Sequence, residues 1–226
     1  MKKDVKILIF VINNTGQWPA YFCLNLIKLY QETLKVYPNT EIRTVQACSV
    51  SEMHNFACRN ALGLRNESGK EKPERSDYLV KLDVDHKYHP EFIIDLMKHN
   101  KDVITGCTSN RRPPFKQTQF KEFQKMFKAD GNIADPHQDE PLMKIAASGQ
   151  VGMLIKVDVL DKLEYPYYKI NHIGHEDGMN PDSIMGGDIY FSKQLKEAGV
   201  EIWLDPKITF PHQVTNVFVN RGQLQF

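Results

Sequence analysis

The amino-acid sequence predicts an α/β fold with a mostly parallel central sheet and helices on both faces. Two observations carry this expectation. Apolar runs of strand length alternate with stretches of helical periodicity from residue 5 to residue 107, the pattern of βαβ units that feed a parallel sheet. The 226 residues also suffice to bury a substantial core, and one domain spanning 1–226 is expected.

The first run, "VKILIFVI" from Val5 to Ile12, follows two lysines as a secretory leader would. It is short, is interrupted by Lys6, and leads into "NNTG" rather than a small-residue cleavage site, so it reads as a buried strand. The segment "WPAYFCLNLIKLYQETLKVYP" then places Phe22, Leu26, Leu29 and Leu34 at helical spacing, and Pro38 stops it. "EIRTVQAC" is a short strand. Ser49 and Glu52 form a capping-box pattern ahead of a helix whose face carries Met53, Phe56, Ala57, Asn60 and Leu64. Residues 65–77, charged and holding Gly and Pro, form a surface loop.

"YLVKL", from Tyr78 to Leu82, is a strand that runs into Asp83 and Asp85. "HPEFIIDLMKH" reads as a helix with Pro90 in its first turn, Glu91 at the positive end of the dipole, and Lys98 and His99 at the negative end. "DVITGC" is the next strand. From about 108 to 141 the regularity fades, with one short helix expected around Phe120 to Phe127; a long irregular insertion of this kind points to a lid or binding loop. Two strands are expected around Ser148 and Gly149, a short helix at "DVLDKL", and another irregular stretch before "DIYFSKQLKEAG". That last helix has Asp188 at its N-cap and Gly199 as its stop. "VEIWLDP" is a final strand, with His212 beyond it and a C-terminal tail at about 213–226.

Composition narrows the function. With 29 Lys and Arg against 28 Asp and Glu, the formal charge of +1 gives no global drive toward nucleic acid or anionic membrane. No integral membrane segment is expected, because no stretch approaches the ~20 apolar residues a span needs. Four scattered cysteines (Cys23, Cys48, Cys58, Cys107) without a CxxC pair suit reduced thiols and a cytoplasmic protein.

The Asp-Val-Asp triplet carries the chemistry. Residues i and i+2 of an extended chain project to one side, so Asp83 and Asp85 present two carboxylates together. Paired anions at the carboxyl end of a buried strand repel unless they share a cation or a proton. Hard oxygen ligands favour Mg²⁺ or Mn²⁺, and that end of a parallel strand is where open α/β sheets place ligands. An isolated DxD often only decorates a turn. Here an apolar strand precedes it, a Pro-started helix follows it, and a second acidic helix head lies at Asp188.

The strand, the DxD and "HPEFIIDLMKHNKDVITG" resemble the metal-binding region of GT-A fold glycosyltransferases, especially the small family-2-like enzymes of bacteria and their phages. "FACRNALG" resembles that family's Ala-Arg-Asn segment, with Arg59 and Asn60 in the matching positions. "SGQVGMLIKVDVLDKL", "YPYY" and "GGDIYFSKQLKEAGVEIWLDPKITFPH" resemble its Gly-rich strand, its proline-aromatic stretch, and its acidic helix head with a late histidine. The likeness runs from Val5 to His212 and rests on the order of the motifs.

The resemblance implies a metal-dependent transfer of sugar from a nucleotide-sugar, most often a UDP-sugar, to a hydroxyl acceptor. It implies Asp85 as a direct metal ligand, Asp83 as a contact to the ribose or to the metal through water, and His212 as completing the metal shell. His86 and His89 are assigned to the turn and the helix cap. Asn13, Asn14 and Thr15 are candidates for the base or ribose, although Asn and Gly at that point also simply make a turn. Arg59 is a candidate for the diphosphate or base, with a surface ion pair as the alternative. Asp188 is the candidate base for the acceptor hydroxyl, with Glu176 and Asp177 in reserve. The family commonly has Glu before this aspartate, and this chain has Gly187.

Arg111, Arg112, Lys116, Lys121 and Lys125, interleaved with Phe115, Phe120 and Phe123, form the one basic aromatic patch in the sequence. A solvated face is its default reading; a lid over a glycan, lipid-linked sugar, protein or hydroxymethylated DNA base is the sharper one. Two alternatives stand beside the transferase. A sugar-phosphate nucleotidyltransferase also uses carboxylate-bound Mg²⁺, but "VINNTGQWPAYF" lacks the Gly-rich basic signature after the first strand. A non-catalytic nucleotide- or glycan-binding module on the same fold is favoured only by Gly187.

Overall fold

Strand β1 (Lys6–Ile12) explains the architecture at once. Leu8, Phe10 and Ile12 are buried in one apolar cluster with Met53, Ala57, Leu79, Phe191 and Leu195. Ile7, Ile9 and Val11 are buried in a second with Phe22, Leu29, Val80, Leu82, Phe92 and Leu96. A strand covered on both faces must be apolar at every position, which is why "ILIFVI" shows no alternation. The computed structural model describes residues 4–13, 16–45, 49–64, 73–111, 116–122, 134, 136–172, 184–214, 217–220 and 223–225.

In chain order β1 is followed by α1 (Ala20–Val36), β2 (Asn39–Val45), α2 (Val50–Ala61), β3 (Tyr78–Asp83), α3 (Phe92–Lys98), β4 (Val103–Thr108), β5 (Met143–Ile145) and β6 (Leu154–Lys156). A 3₁₀ helix (Val157–Lys162) leads to β7 (Asn171–His172), β8 (Ile184–Met185), α4 (Gly187–Glu197), β9 (Ile202–Phe210), β10 (His212–Val214), β11 (Val217–Asn220) and β12 (Gln223–Gln225). The seven-stranded sheet has the order β2-β1-β3-β6-β4-β9-β5. Pairings β1/β2, β1/β3 and β4/β9 are parallel, whereas β6 and β5 run antiparallel to their neighbours. Helices α1 and α3 cover one face, and α2 and α4 the other. The expected α/β class, with its mostly parallel sheet, is therefore the observed one.

The interposed β6 opens the site. It pairs with only the first residues of β3 (Tyr78 to Val80) and of β4 (Val103 and Ile104). Beyond those pairs, the carboxyl ends of β3 and β4 have no strand between them, and a cleft is left at the edge where parallel α/β sheets bind ligands. Strand β9 is extended past its expected end. After Gly106 opposite Asp205, the next pair is Cys107 opposite Thr209, so Pro206, Lys207 and Ile208 form a bulge. Proline is tolerated there because a bulge needs no ladder donor.

Several boundaries differ from expectation. Helix α3 begins at Phe92, so Pro90 and Glu91 form a turn ahead of it. The α4 N-cap is Gly186, which places Asp188 inside the first turn. Gly199, with φ of 71°, does end the helix in the left-handed conformation that favours glycine. "VDVLDK" winds as a 3₁₀ helix. Phe120 makes a bridge to Ala147 and residues 121–122 are not helical, so the helix expected around Phe120 to Phe127 does not start there; residues 123–127 lie outside the described residues.

Candidate functional site

The capping box at Ser49 and Glu52 forms as expected: Ser49 Oγ accepts the Glu52 N–H and Glu52 Oε2 accepts the Ser49 N–H. It fixes the start of α2, against which α4 packs. A Cβ on Gly187 would lie 2.8 Å from Ser51 Oγ. The heads of α2 and α4 approach each other here.

The Asp-Val-Asp turn is held from three sides. Tyr88, buried, accepts the Asp83 N–H at 2.8 Å and donates its hydroxyl to the Asp83 carbonyl at 3.0 Å. From α1, Asn25 brackets the Tyr88 backbone, donating to its carbonyl and accepting its N–H, and the Tyr21 hydroxyl donates to the Val84 carbonyl. On the far side, Lys87 N–H donates to the Pro211 carbonyl and Gln213 N–H to the Asp85 carbonyl, while His86 bridges His212. Tyr88→Phe leaves both Asp83 backbone groups without their side-chain partner. It is expected to cost about 1–3 kcal/mol of stability, measured as a lower urea midpoint at unchanged m-value.

These clamps bring Asp85, His86 and His212 together, their ligand atoms all within 4.8 Å of one another. Asp85 Oδ1 lies 2.9 Å from His86 Nδ1, and His86 Nε2 lies 3.1 Å from Thr108 Oγ1. The His86 and His212 rings stack at 4.0 Å. His212 Nδ1 lies 2.8 Å from the Ser109 carbonyl and its Nε2 lies 3.2 Å from Asp85 Oδ2. Burial pushes His86 down to about 4, against the pull of Asp85, so its ring is neutral at physiological pH. Burial opposes ionisation of Asp85, but its contacts with His212 and His86 hold the carboxyl well below the usual range.

A cavity of about 370 Å³ opens over this cluster, lined among others by Asp83, His86, Thr108, Arg111, Asp188 and His212. Asp83 faces the cavity but is not one of the three residues whose ligand atoms converge. Burial, and then the charge of Asp85, push Asp83 up to about 7. Burial also raises Asp188, whose Oδ1 accepts the Ile189 N–H at 2.9 Å.

Beneath the carboxylates lies Lys81, fully buried on β3 two residues before Asp83. Its ammonium donates to Gln150 Oε1 at 2.6 Å and to the Tyr168 hydroxyl. It sits 4.4 Å and 4.8 Å from the ring centres of Tyr168 and Phe191. Gln150 in turn donates to the Asp188 carbonyl at 3.2 Å. Burial brings Lys81 down to about 8, with Cys58, Asp83 and Asp188 pulling the other way.

The remaining candidates lie elsewhere. Asn13 spends its amide on the turn, donating to the Gln17 carbonyl and accepting the Gly16 N–H. Asn14 and Thr15 fall outside the described residues, as do Glu176 and Asp177, Arg112, Phe115, Phe123 and Lys125. Arg59 lies 5.9 Å over the Tyr165 ring, and neither it nor Asn13 lines the cavity. His89 accepts the Glu91 N–H at 3.3 Å ahead of α3. His86 belongs to the turn, as expected, but it also belongs to the converging cluster, which the sequence reading did not include.

Among the described residues no helix is long and apolar enough to cross a membrane. No protein-family model matches the chain, and no curated protein matches it in sequence. Among solved structures it is similar to A197 from STIV, with a TM-score of 0.61 and 15% identity over 97% of this chain and 93% of that one. It also matches S. aureus TarS 1-349 (TM-score 0.47, 9% identity, 91% of this chain and 59% of that one). A third match is 4-diphosphocytidyl-2C-methyl-D-erythritol synthase (TM-score 0.41, 8% identity, 96% of this chain and 94% of that one). The likeness to A197 is a likeness of fold.

Proposed function

We propose that this chain is a metal-dependent glycosyltransferase of the GT-A type. It transfers a sugar from a nucleotide-sugar, a UDP-sugar first among them, to a hydroxyl acceptor. The observation that carries this reading is the convergence of Asp85 with His86 and His212 beside a cavity that Asp83, His86, Asp188 and His212 line. The motif order in the sequence supports the same reading.

The donor set fits a divalent ion. One carboxylate oxygen and two imidazole nitrogens within 4.8 Å of one another suit Mn²⁺, and Mg²⁺ with less preference. Asp85 and His212 would hold it, with His86 as a third donor, and a bound ion would supply positive charge for the departing nucleoside diphosphate. Asp83 would contact the ribose or the ion's hydration shell. His86 orients the Asp85 carboxylate through Oδ1. Asp188 accepts the proton of the attacking hydroxyl, and burial, by raising its pKa, makes it a stronger base. The free thiols of Cys23, Cys58 and Cys107 support a cytoplasmic setting.

Calorimetry of UDP with and without Mn²⁺, on wild type and Asp85→Asn, tests the proposal. Binding that needs Mn²⁺ and weakens by about 100-fold or more in the variant is the expected result, because a metal ligand is lost. No binding of UDP or of any other nucleotide, at any metal concentration, refutes it. A positive result leads to an acceptor screen of glycans, lipid-linked sugars, proteins and hydroxymethylated DNA.

A further inference from the structure

The charges around His212 Nε2 have one feature that the ligand set alone does not explain. His212 Nδ1 faces the Ser109 carbonyl at 2.8 Å. A carbonyl only accepts, so Nδ1 carries a ring proton. Nε2 lies 3.2 Å from Asp85 Oδ2, and the guanidinium of Arg111 lies against both atoms. Its Nε–H donates to His212 Nε2 at 2.8 Å, and its Nη2 pairs with Asp85 Oδ2. One edge of the planar fork thus spans both atoms, a match of shape as well as charge. The Arg111 side chain is 66% exposed, so it can leave without disturbing the core.

We propose that Arg111 is the resident cation of the Asp85–His212 pair, and that a divalent metal ion reaches these two ligands only by displacing its guanidinium. The inference rests on the metal-dependent reading of the site. Its consequence is that the metal affinity of the wild-type chain is reduced by the fraction of molecules in which the fork is closed. Arg111 sets the metal concentration at which the site loads.

The test is a titration of the full chain with Mn²⁺ alone, free ion being counted by electron paramagnetic resonance, on wild type, Arg111→Gln, Arg111→Lys and Asp85→Asn. Both Arg111 variants are expected to bind Mn²⁺ about tenfold more tightly than wild type, the scale set by one exposed ion pair and one hydrogen bond to a charged group. The lysine variant separates displacement from general repulsion, because it keeps the charge but cannot bridge both atoms. Wild-type affinity in Arg111→Lys, or weaker binding in either variant, overturns the inference. If wild type binds Mn²⁺, Asp85→Asn does not, and both Arg111 variants match wild type, the inference falls while the metal reading stands. If none of the four proteins binds Mn²⁺, both fall together.

Discussion

Asp188→Asn is expected to slow sugar transfer by roughly 10²- to 10⁴-fold, the range set by losing a positioned general base, while UDP binding with Mn²⁺ is retained. The separation follows from where Asp188 sits. Oδ1 accepts the Ile189 N–H inside the first turn of α4, and the amide oxygen of asparagine can do the same. The variant therefore keeps the local hydrogen bond and shape and loses only the basic oxygen. Release of UDP from a UDP-sugar, with water or an acceptor from the screen, is the readout. Burial raises Asp188 above its ordinary 3.8, so the wild-type rate should climb with pH as this carboxyl ionises, and Asp188→Asn should lose that limb. A loss smaller than about tenfold would reduce Asp188 to an acidic residue favouring the positive end of the helix dipole.

The fold was largely legible because both faces of the sheet are covered. The strands then appear as unbroken apolar runs, and the helices between them carry one apolar stripe each. The antiparallel placement of β6 was not legible, since "MLIKV" has the same composition whichever neighbour it joins. Asp83 and Asp85 stood out because their chemistry is local to one strand end. His86 did not, because its role depends on His212, which follows the bulged β9 and bridges to His86 from 126 positions along the chain. No spacing rule reports such a contact. Lys81 carries its own signal in the sequence: a charge inside "YLVKLD", in a run buried on both faces, demands partners. Its partners, Gln150 and Tyr168, come from two segments that looked irregular or Gly-rich. The shift of Asp188 from N-cap to first turn is the ordinary uncertainty of a helix end.

Lys81 leads to the largest expected effect on stability. Lys81→Ala should cost about 3–5 kcal/mol, because it opens a cavity under the site and removes a donor to Gln150 and Tyr168. Lys81→Met keeps most of the volume and removes a buried charge, and Tyr168 still donates to Gln150 Oε1, so it avoids the cavity cost of alanine and the desolvation cost of the ammonium. The two variants should therefore diverge, and pH gives the sign. Lys81 is pushed from 10.5 to about 8, so its charged form disfavours folding. That cost is fully present below about pH 8 and fades as pH rises toward 10.5. Urea unfolding should accordingly show Lys81→Met gaining most on wild type at pH 7 and least at pH 10. An equal difference at both pH values would show that hydrogen bonds and aromatic rings compensate the ammonium completely. Function should move the other way. Lys81 is among the groups that restrain the rise of Asp83 to about 7, so in Lys81→Met the Asp83 carboxyl stays protonated to higher pH. Metal-dependent UDP binding, which favours the ionised carboxylate, should then shift to higher pH in a variant that folds as well as the wild type. A buried lysine that costs stability at neutral pH has a reason to be there if it keeps Asp83 ionised.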